Sequence, residues 1–405
     1  MNSSPAPVPS RVSPRVPSRV PPRVSVICPT YNRSRAITAT LDSVRAQTMP
    51  DWEMLVVSDG SDDDTDAWVE RAARADSRIR LLRTARHGHP SGPRNLALEE
   101  ARGSLIAYLD HDDRWREDHL SIVVTALDGD GSGDGDAGCG EGGETSGAGA
   151  RPAGRADMVV TGFVREDGAG RITARSRPHE MCWHPQFQTL GVLMEPSRVA
   201  YRRALGERAG PWHAGGGMED WDLWLRIADL APRVTTVLDR TAVLLDDTGT
   251  RRHHIRPAHH APLAWFDDPR HAHATLCALR DGRYDEPFRA AHAADTAEWI
   301  ERLARTPEFV TPSGRGTVPT AELTRELTAA MTARTPPFHD LVVTRKDRRC
   351  VLAQPLRCRT AEHARRIAAL VRTTQPRVCA LIEEVAAACA PAAPASARGR
   401  KAGTR

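Results

Sequence analysis

The sequence predicts an α/β fold with a mostly parallel central sheet and an appended, mainly helical C-terminal region. Three observations carry this. Short apolar runs alternate with helix-spaced apolar residues from Val24 to about residue 109, the signature of βαβ units. Beyond about Pro262 the texture changes to helical runs. The chain's 405 residues suffice for one large domain and a smaller one.

Residues 24–28 read as a first strand stopped by Pro29, and Ile37, Leu41 and Val44 follow at helical spacing. Residues 53–57 form a second strand, then an acidic turn and a helix through Trp68, Val69 and Ala72. Residues 78–82 are a third strand. Gly92-Pro93 opens the next helix, which runs to Gly103; proline suits a first helical turn. Residues 104–109 are the fourth strand. Residues 128–154 hold eleven glycines in 27 positions and lack a Gly-Lys-Ser/Thr ending, so they read as a flexible insertion and not a phosphate loop.

A strand resumes over 157–164, with Asp167-Gly168 as a hairpin turn. Residues 218–230 form a helix with Trp221, Trp224, Leu225 and Ala228 on one face, and 234–245 a further strand. Later helices cover 290–304, 319–333, 361–371 and 377–388, with a hairpin near 341–356. Four regions result: an arm at 1–23, a main domain at 24–261, a helical region at 262–395 and a basic tail at 396–405.

Composition narrows the function. The arm has seven prolines, four arginines and no acid, which favours disorder, and it lacks the apolar core of a secretory signal. A net charge of +4, without a basic stripe, argues against nucleic acid. The eight cysteines form no Cys-x-x-Cys pair, which points to free thiols in a reducing, cytoplasmic setting. No stretch approaches the roughly 20 apolar residues of a membrane helix, so any membrane role is peripheral.

Asp110-His111-Asp112 closes the fourth strand. Ligands of open α/β sheets bind at the carboxyl ends of strands, and two carboxylates there can hold a divalent ion against phosphate oxygens. Cys182 and His184 stand two apart, but no other feature supports a nucleophilic dyad.

Further segments accompany that motif. The first strand ends in Cys28-Pro29-Thr30-Tyr31-Asn32-Arg33 and the second in Ser58-Asp59-Gly60-Ser61-Asp62-Asp63-Asp64-Thr65. Gly92-Pro93-Arg94-Asn95, Asp110-His111-Asp112-Asp113 and Glu219-Asp220-Trp221 follow. In order and spacing, from about Val24 to Asp246, this resembles glycosyltransferase family 2, of the GT-A fold. The resemblance implies an inverting, metal-dependent transfer of a hexosyl or N-acetylhexosaminyl group. The donor would be a nucleotide-sugar, best a UDP-sugar. With no membrane segment, the expected acceptor is a hydroxyl or other nucleophile of a soluble peptide, natural product or saccharide, with a peripherally bound lipid-linked acceptor as the alternative.

It also implies residue roles. Pro29, Thr30, Tyr31, Asn32, Asp59, Arg94, Asp110 and His111 would bind the nucleotide-sugar. Asp59 would accept the imide N–H of uracil while Tyr31 stacks on or edges the base; Tyr31 as a core aromatic is the other option. Ser58 replaces the family's first acid of the pair and leaves Asp59 intact. Asp62, Asp63 and Asp64 read as a solvated N-cap cluster. Arg94 contacts the diphosphate or pairs with a nearby acid such as Glu99.

Asp112 would ligate Mn²⁺ or Mg²⁺ directly, with Asp110 as a further ligand or a hydroxyl contact. Asp113 reads as the N-cap of a helix through Trp115, in preference to a third ligand. Asp220, or else Glu219, would be the general base; both acids also suit a helix N-terminus. Among His253-His254 and His259-His260, His254 is assigned to the metal and diphosphate, against a plain solvated loop. Adjacent histidines fit a tetrahedral zinc site poorly.

Two other readings stand beside this one. A nucleotidyltransferase of similar fold would need a Gly-rich Lys/Arg loop after the first strand, which is absent. A catalytically inactive sugar-nucleotide scaffold would not need both acidic motifs. Residues 186–203 are expected on the acceptor side. The C-terminal helices carry apolar faces (Leu323, Leu327, Met331; Leu370, Val378, Leu381, Ile382, Val385), to be buried on the chain's own core, in a homodimer or against an acceptor.

Overall fold

The computed structural model describes residues 21–129, 155–191, 193–214, 217–246, 259–314, 318–333, 338 and 340–391. Most of the arm, the glycine-rich stretch 130–154, Gly215, Gly216, His253, His254 and the tail lie outside these residues.

The first third alternates as its periodicity requires: β1 (Val24–Thr30), α1 (Ile37–Arg45), β2 (Trp52–Asp59), α2 (Thr65–Ala75), β3 (Ile79–Thr84), α3 (Ser91–Glu100) and β4 (Leu105–Tyr108). These strands run parallel in the order β3-β2-β1-β4. Every residue of β1 and β2 is buried, as continuous apolar strands covered on both faces must be. Alternation sorts their side chains. Val24, Val26, Met54 and Val56 pack with Ile37, Leu41 and Val44 of α1, whereas Ile27, Leu55 and Val57 pack with Ala97 of α3.

Helix α3 stops at Glu100, short of Gly103. The chain there presses on the first strand, and a Cβ at Gly103 would stand 2.5 Å from the Ser25 nitrogen. Glycine permits that approach and sets the register of β4 against β1.

The sheet is completed by β5 (Arg114–Trp115), β6 (Met158–Glu166), β7 (Ile172–Arg175), β8 (Val199–Arg202) and β9 (Val234–Leu245). Helices α4 (His119–Asp128), α5 (Pro185–Leu190), α6 (Arg203–Ala209) and α7 (Glu219–Asp229) connect them. The order is β3-β2-β1-β4-β8-β6-β9-β5, with β7 paired to β6. β8 enters antiparallel between β4 and β6.

Two expectations fail here. Arg114 and Trp115 pair with Val243 and Ala242 of β9, so no helix passes through Trp115 and Asp113 caps none. Helix α7 is buried on two faces, not one. Trp224, Leu223, Ile227 and Ala228 join the sheet's core, while Trp221 and Leu225 turn to Cys358, Ala364 and Ile367 of the C-terminal region.

That region comprises β10 (His259–Phe266), α8 (Pro269–Arg280), α9 (Asp285–Ala304), α10 (Thr320–Thr332), β11 (Val342–Lys346), β12 (Arg349–Leu356), α11 (Ala361–Thr374) and α12 (Pro376–Ala388). The 341–356 hairpin gains an unforeseen partner, since β10 pairs antiparallel with β12. The foreseen apolar faces pack within the chain: Leu323 with Trp299 and Ile300, and Val378, Ile382 and Val385 with Phe266 and Leu276. Arg366 pairs with Asp229 at 2.7 Å, and Arg359 donates to the carbonyls of His213 and Ala214. No helix among the described residues is long and apolar enough to cross a membrane.

Ile367 is 6% exposed in the contact with Trp221 and Leu225. Ile367→Ala should therefore cost about 2–5 kcal/mol of stability by chemical denaturation. A loss below about 0.5 kcal/mol would show that α11 does not pack on α7.

Candidate active site

Strand β1 delivers Pro29, Thr30, Tyr31 and Asn32; β2 ends in Asp59; α3 supplies Arg94 from its first turns. Asp110, His111 and Asp112 follow β4, and Glu219 and Asp220 open α7. All of them line one cavity of about 870 Å³. His253 and His254 lie outside the described residues. His259 and His260 open β10 and pair with Leu356 and Pro355, apart from this cavity.

The first-strand turn is braced from two sides. The His111 Nδ1 accepts the Tyr31 backbone N–H at 3.3 Å and lies 3.2 Å from the Thr30 hydroxyl. Burial lowers the pKa of His111, with Asp112 opposing, so the ring stays neutral near pH 7. Asn32 takes a left-handed φ of 46° and exchanges hydrogen bonds with Asp62. Asp63 accepts from the Ser34 and Thr65 backbone N–H groups at 3.0 and 2.9 Å. The acidic cluster is thus tied to the turn as well as to the start of α2.

Asp59 is almost fully buried and already engaged. Its Oδ1 accepts the His87 N–H at 2.7 Å, and its Oδ2 accepts from Gly88 N–H at 3.0 Å and from Arg86. The Arg86 guanidinium lies 3.5 Å from the Tyr31 ring centroid. Tyr31 therefore lines the cavity with Arg86 laid on one face of its ring, and it belongs to no core cluster among the described residues. Each carboxylate oxygen can accept twice, so Oδ1 keeps one acceptor position.

Arg94 does not meet Glu99. Its Nη2 donates to Asp110 at 2.7 Å, and its Nη1 lies 3.7 Å from Glu219. The guanidinium stands 4.3 Å from the Trp212 ring, which Asn95 fixes through reciprocal hydrogen bonds to the Trp212 backbone. Burial opposes its charge, but Asp110 and Glu219 more than offset this and raise its pKa. Among the described residues, its Nε and Nη1 are buried without a hydrogen-bond partner. A buried cation with unmet donors is suited to an anionic ligand.

Asp112 pairs with Arg33 at 2.9 Å. Asp113 accepts from the Ser197 hydroxyl at 2.6 Å and the Leu245 N–H at 3.0 Å. Burial, then Asp112 and Asp110, push its pKa well up, and its hydrogen bonds brace the loop instead of capping a helix. Acids outnumber arginines around the cavity: Asp59, Asp110, Asp112, Asp113, Glu195, Glu219 and Asp220 face Arg33, Arg86 and Arg94. No cluster of three metal-ligating side chains exists among the described residues. Two aspartates nonetheless fit Mg²⁺ or Mn²⁺, which commonly takes one or two carboxylates plus ligand phosphates.

Asp220 is the titratable group best suited to proton transfer. Burial, then the Glu219 carboxylate, raises its pKa to about 6. The preceding Met218 takes φ 61°, an unusual left-handed conformation for this residue type. Cys182 and His184 form no dyad. Burial pushes the thiol up to about 12, and His184 caps α5 by accepting the Gln186 N–H. Arg33, Arg86 and Trp212 were not foreseen as site residues. Arg33 lies inside the recognised first-strand segment, whereas nothing local marks the other two.

Residues 25–146 match the sequence model of glycosyl transferase family 2. The chain is 40% identical over 97 residues to the putative teichuronic acid biosynthesis glycosyltransferase TuaG of Bacillus subtilis, covering 24% of this chain and 38% of that protein. It is 40% identical over 104 residues to the UDP-Glc:alpha-D-GlcNAc-diphosphoundecaprenol beta-1,3-glucosyltransferase WfgD of Escherichia coli, covering 26% and 40%. It thus spans about two fifths of the length of these relatives. Among solved structures, S. aureus TarS 1-349 in complex with UDP-GlcNAc aligns over 58% of this chain and 62% of its own, at 22% identity and TM-score 0.45.

Glu219→Gln removes the charge that helps to hold Asp220 protonated. The Asp220 midpoint should fall below about 6, as read from carboxyl ¹³C shifts in a pH titration. An unchanged midpoint would leave burial as its whole cause.

Proposed function

We propose that this chain, a glycosyltransferase of family 2 by its residues 25–146, transfers a sugar with inversion from a UDP-sugar to a hydroxyl of a soluble acceptor. The observation that carries this is the gathering of Asp59, Arg94, Asp110, Asp112 and Asp220 around one cavity from four separate segments. UDP is favoured because Asp59 retains an acceptor for an imide N–H and Arg86 offers donors to the neighbouring carbonyl oxygens. The relative WfgD is itself named for a UDP-Glc donor.

Asp112 and Asp110 would hold a divalent cation, Mn²⁺ or Mg²⁺, which when bound neutralises charge on the departing diphosphate. Without such a cation the acid-rich cavity would repel that diphosphate. Arg94 turns its unmet donors to the same phosphates. The acceptor oxygen bonds to the anomeric carbon as the bond from that carbon to the diphosphate oxygen breaks. The electron pair leaves with the nucleoside diphosphate, and the hydroxyl proton passes to Asp220. A single displacement inverts the centre. A pure binding scaffold has no use for a carboxylate poised near pH 6 beside the donor site.

Only ionised Asp220 can accept a proton, so turnover should fall as pH drops through about 6. Asp220→Asn should lower kcat by about a hundredfold or more while UDP affinity stays near that of the wild type. Wild-type turnover in this variant would move the base elsewhere.

Sugar transfer should also stop in EDTA and return with Mn²⁺ or Mg²⁺. Full activity in EDTA would remove the cation from the account.

A further inference from the structure

Next to the donor cavity lies a second cavity of about 460 Å³, between α7 and the C-terminal helices. Met218 lines both, and Trp221, the residue after Asp220, lines the second. A molecule in the second cavity therefore borders the chain segment Met218–Trp221 that carries the proposed base, with an adaptable methionine side chain shared between the two cavities.

The walls define what fits. Leu190, Phe288, Trp299, Ile367 and Val378 supply apolar surface. Of the polar groups inside, three engage one another, with His292 Nδ1 and Gln375 Oε1 2.8 Å apart and Gln375 Nε2 donating to the Thr296 hydroxyl at 3.2 Å, while Asp340, Gln354 and Arg357 add a polar margin. Cavities of this size hold drug-sized molecules, not long polymers. Leu190 on the lining and Leu193 just beyond are 39% and 44% exposed, in a fold whose other large apolar side chains, Ile172 excepted, are covered among the described residues.

We propose that the second cavity receives the apolar body of a small acceptor molecule, an aromatic or alicyclic hydroxyl compound, and presents its hydroxyl to Asp220. This rests on the transferase reading for what the bound hydroxyl does, but not for the binding itself. The C-terminal region is then the acceptor half of the site. The soluble acceptor becomes a compact apolar compound in place of a free saccharide.

The test uses the full chain with 4-methylumbelliferone and 1-naphthol as probes, read by quenching of tryptophan fluorescence, since Trp221 and Trp299 line the cavity. Gly191→Phe plugs it. Gly191 lines the cavity in extended backbone, and a Cβ there meets nothing within 4 Å. Val371→Phe fills the cavity from α11.

At least one probe should quench saturably, and both variants should weaken it tenfold or more, while calorimetry finds their UDP affinity within twofold of wild type. No saturable quenching by either probe overturns the proposal, as does unchanged probe affinity in both folded variants. Farnesyl phosphate binding tenfold tighter than both aromatics would overturn it in favour of an isoprenoid-linked acceptor. Quenching needs no nucleotide, so a wild-type chain that binds probe but not UDP would count against the transferase reading and leave the cavity assignment standing.

Discussion

Arg94 is the constraint around which this site is organised. Its side chain is 3% exposed, and a guanidinium keeps its proton even when buried. The fold must therefore bring compensating charge to it. Asp110, at the end of β4, and Glu219, at the start of α7, do so from 16 positions away and from beyond 120. The Trp212 ring closes the guanidinium's face. One buried cation thereby ties the carboxyl end of the parallel strands to the helix that carries Asp220. The same charges feed onward, because Glu219 helps to raise the Asp220 pKa.

Much of the sheet was legible because parallel, doubly covered strands leave a period-free apolar run between amphipathic helices. β1 and β2 are of this kind. β10 was not, since it mixes His259, His260 and Pro262 with its apolar residues, and as an edge strand it can accommodate a proline. Helix α8 was missed although its start signal is present: the Asp268 side chain accepts the Arg270 N–H, with Pro269 in the first turn. The two-faced burial of α7 was illegible, because the residues covering Trp221 and Leu225 lie more than 130 positions further on.

Within the site, motif residues at strand ends were readable because topology alone sends them to one edge. Residues whose importance comes from distant partners were not. Asp113 looked like a helix cap from its neighbours, yet its hydrogen bonds go to Ser197 and Leu245. Arg86 sits in a loop after β3 with no local signature, and only the folded chain lays it on Tyr31 and against Asp59. Asn32, expected to contact the nucleotide-sugar, lines the cavity, and its side chain also exchanges hydrogen bonds with Asp62, a partner no local pattern announced.

The most direct test of the account is a calorimetric titration of the full chain with UDP, once in excess Mn²⁺ and once in excess EDTA. The acid-rich cavity should bind UDP at least tenfold more tightly with Mn²⁺, and Asp112→Ala should erase that difference. Equal affinity in the two buffers, or no binding in either, would contradict it.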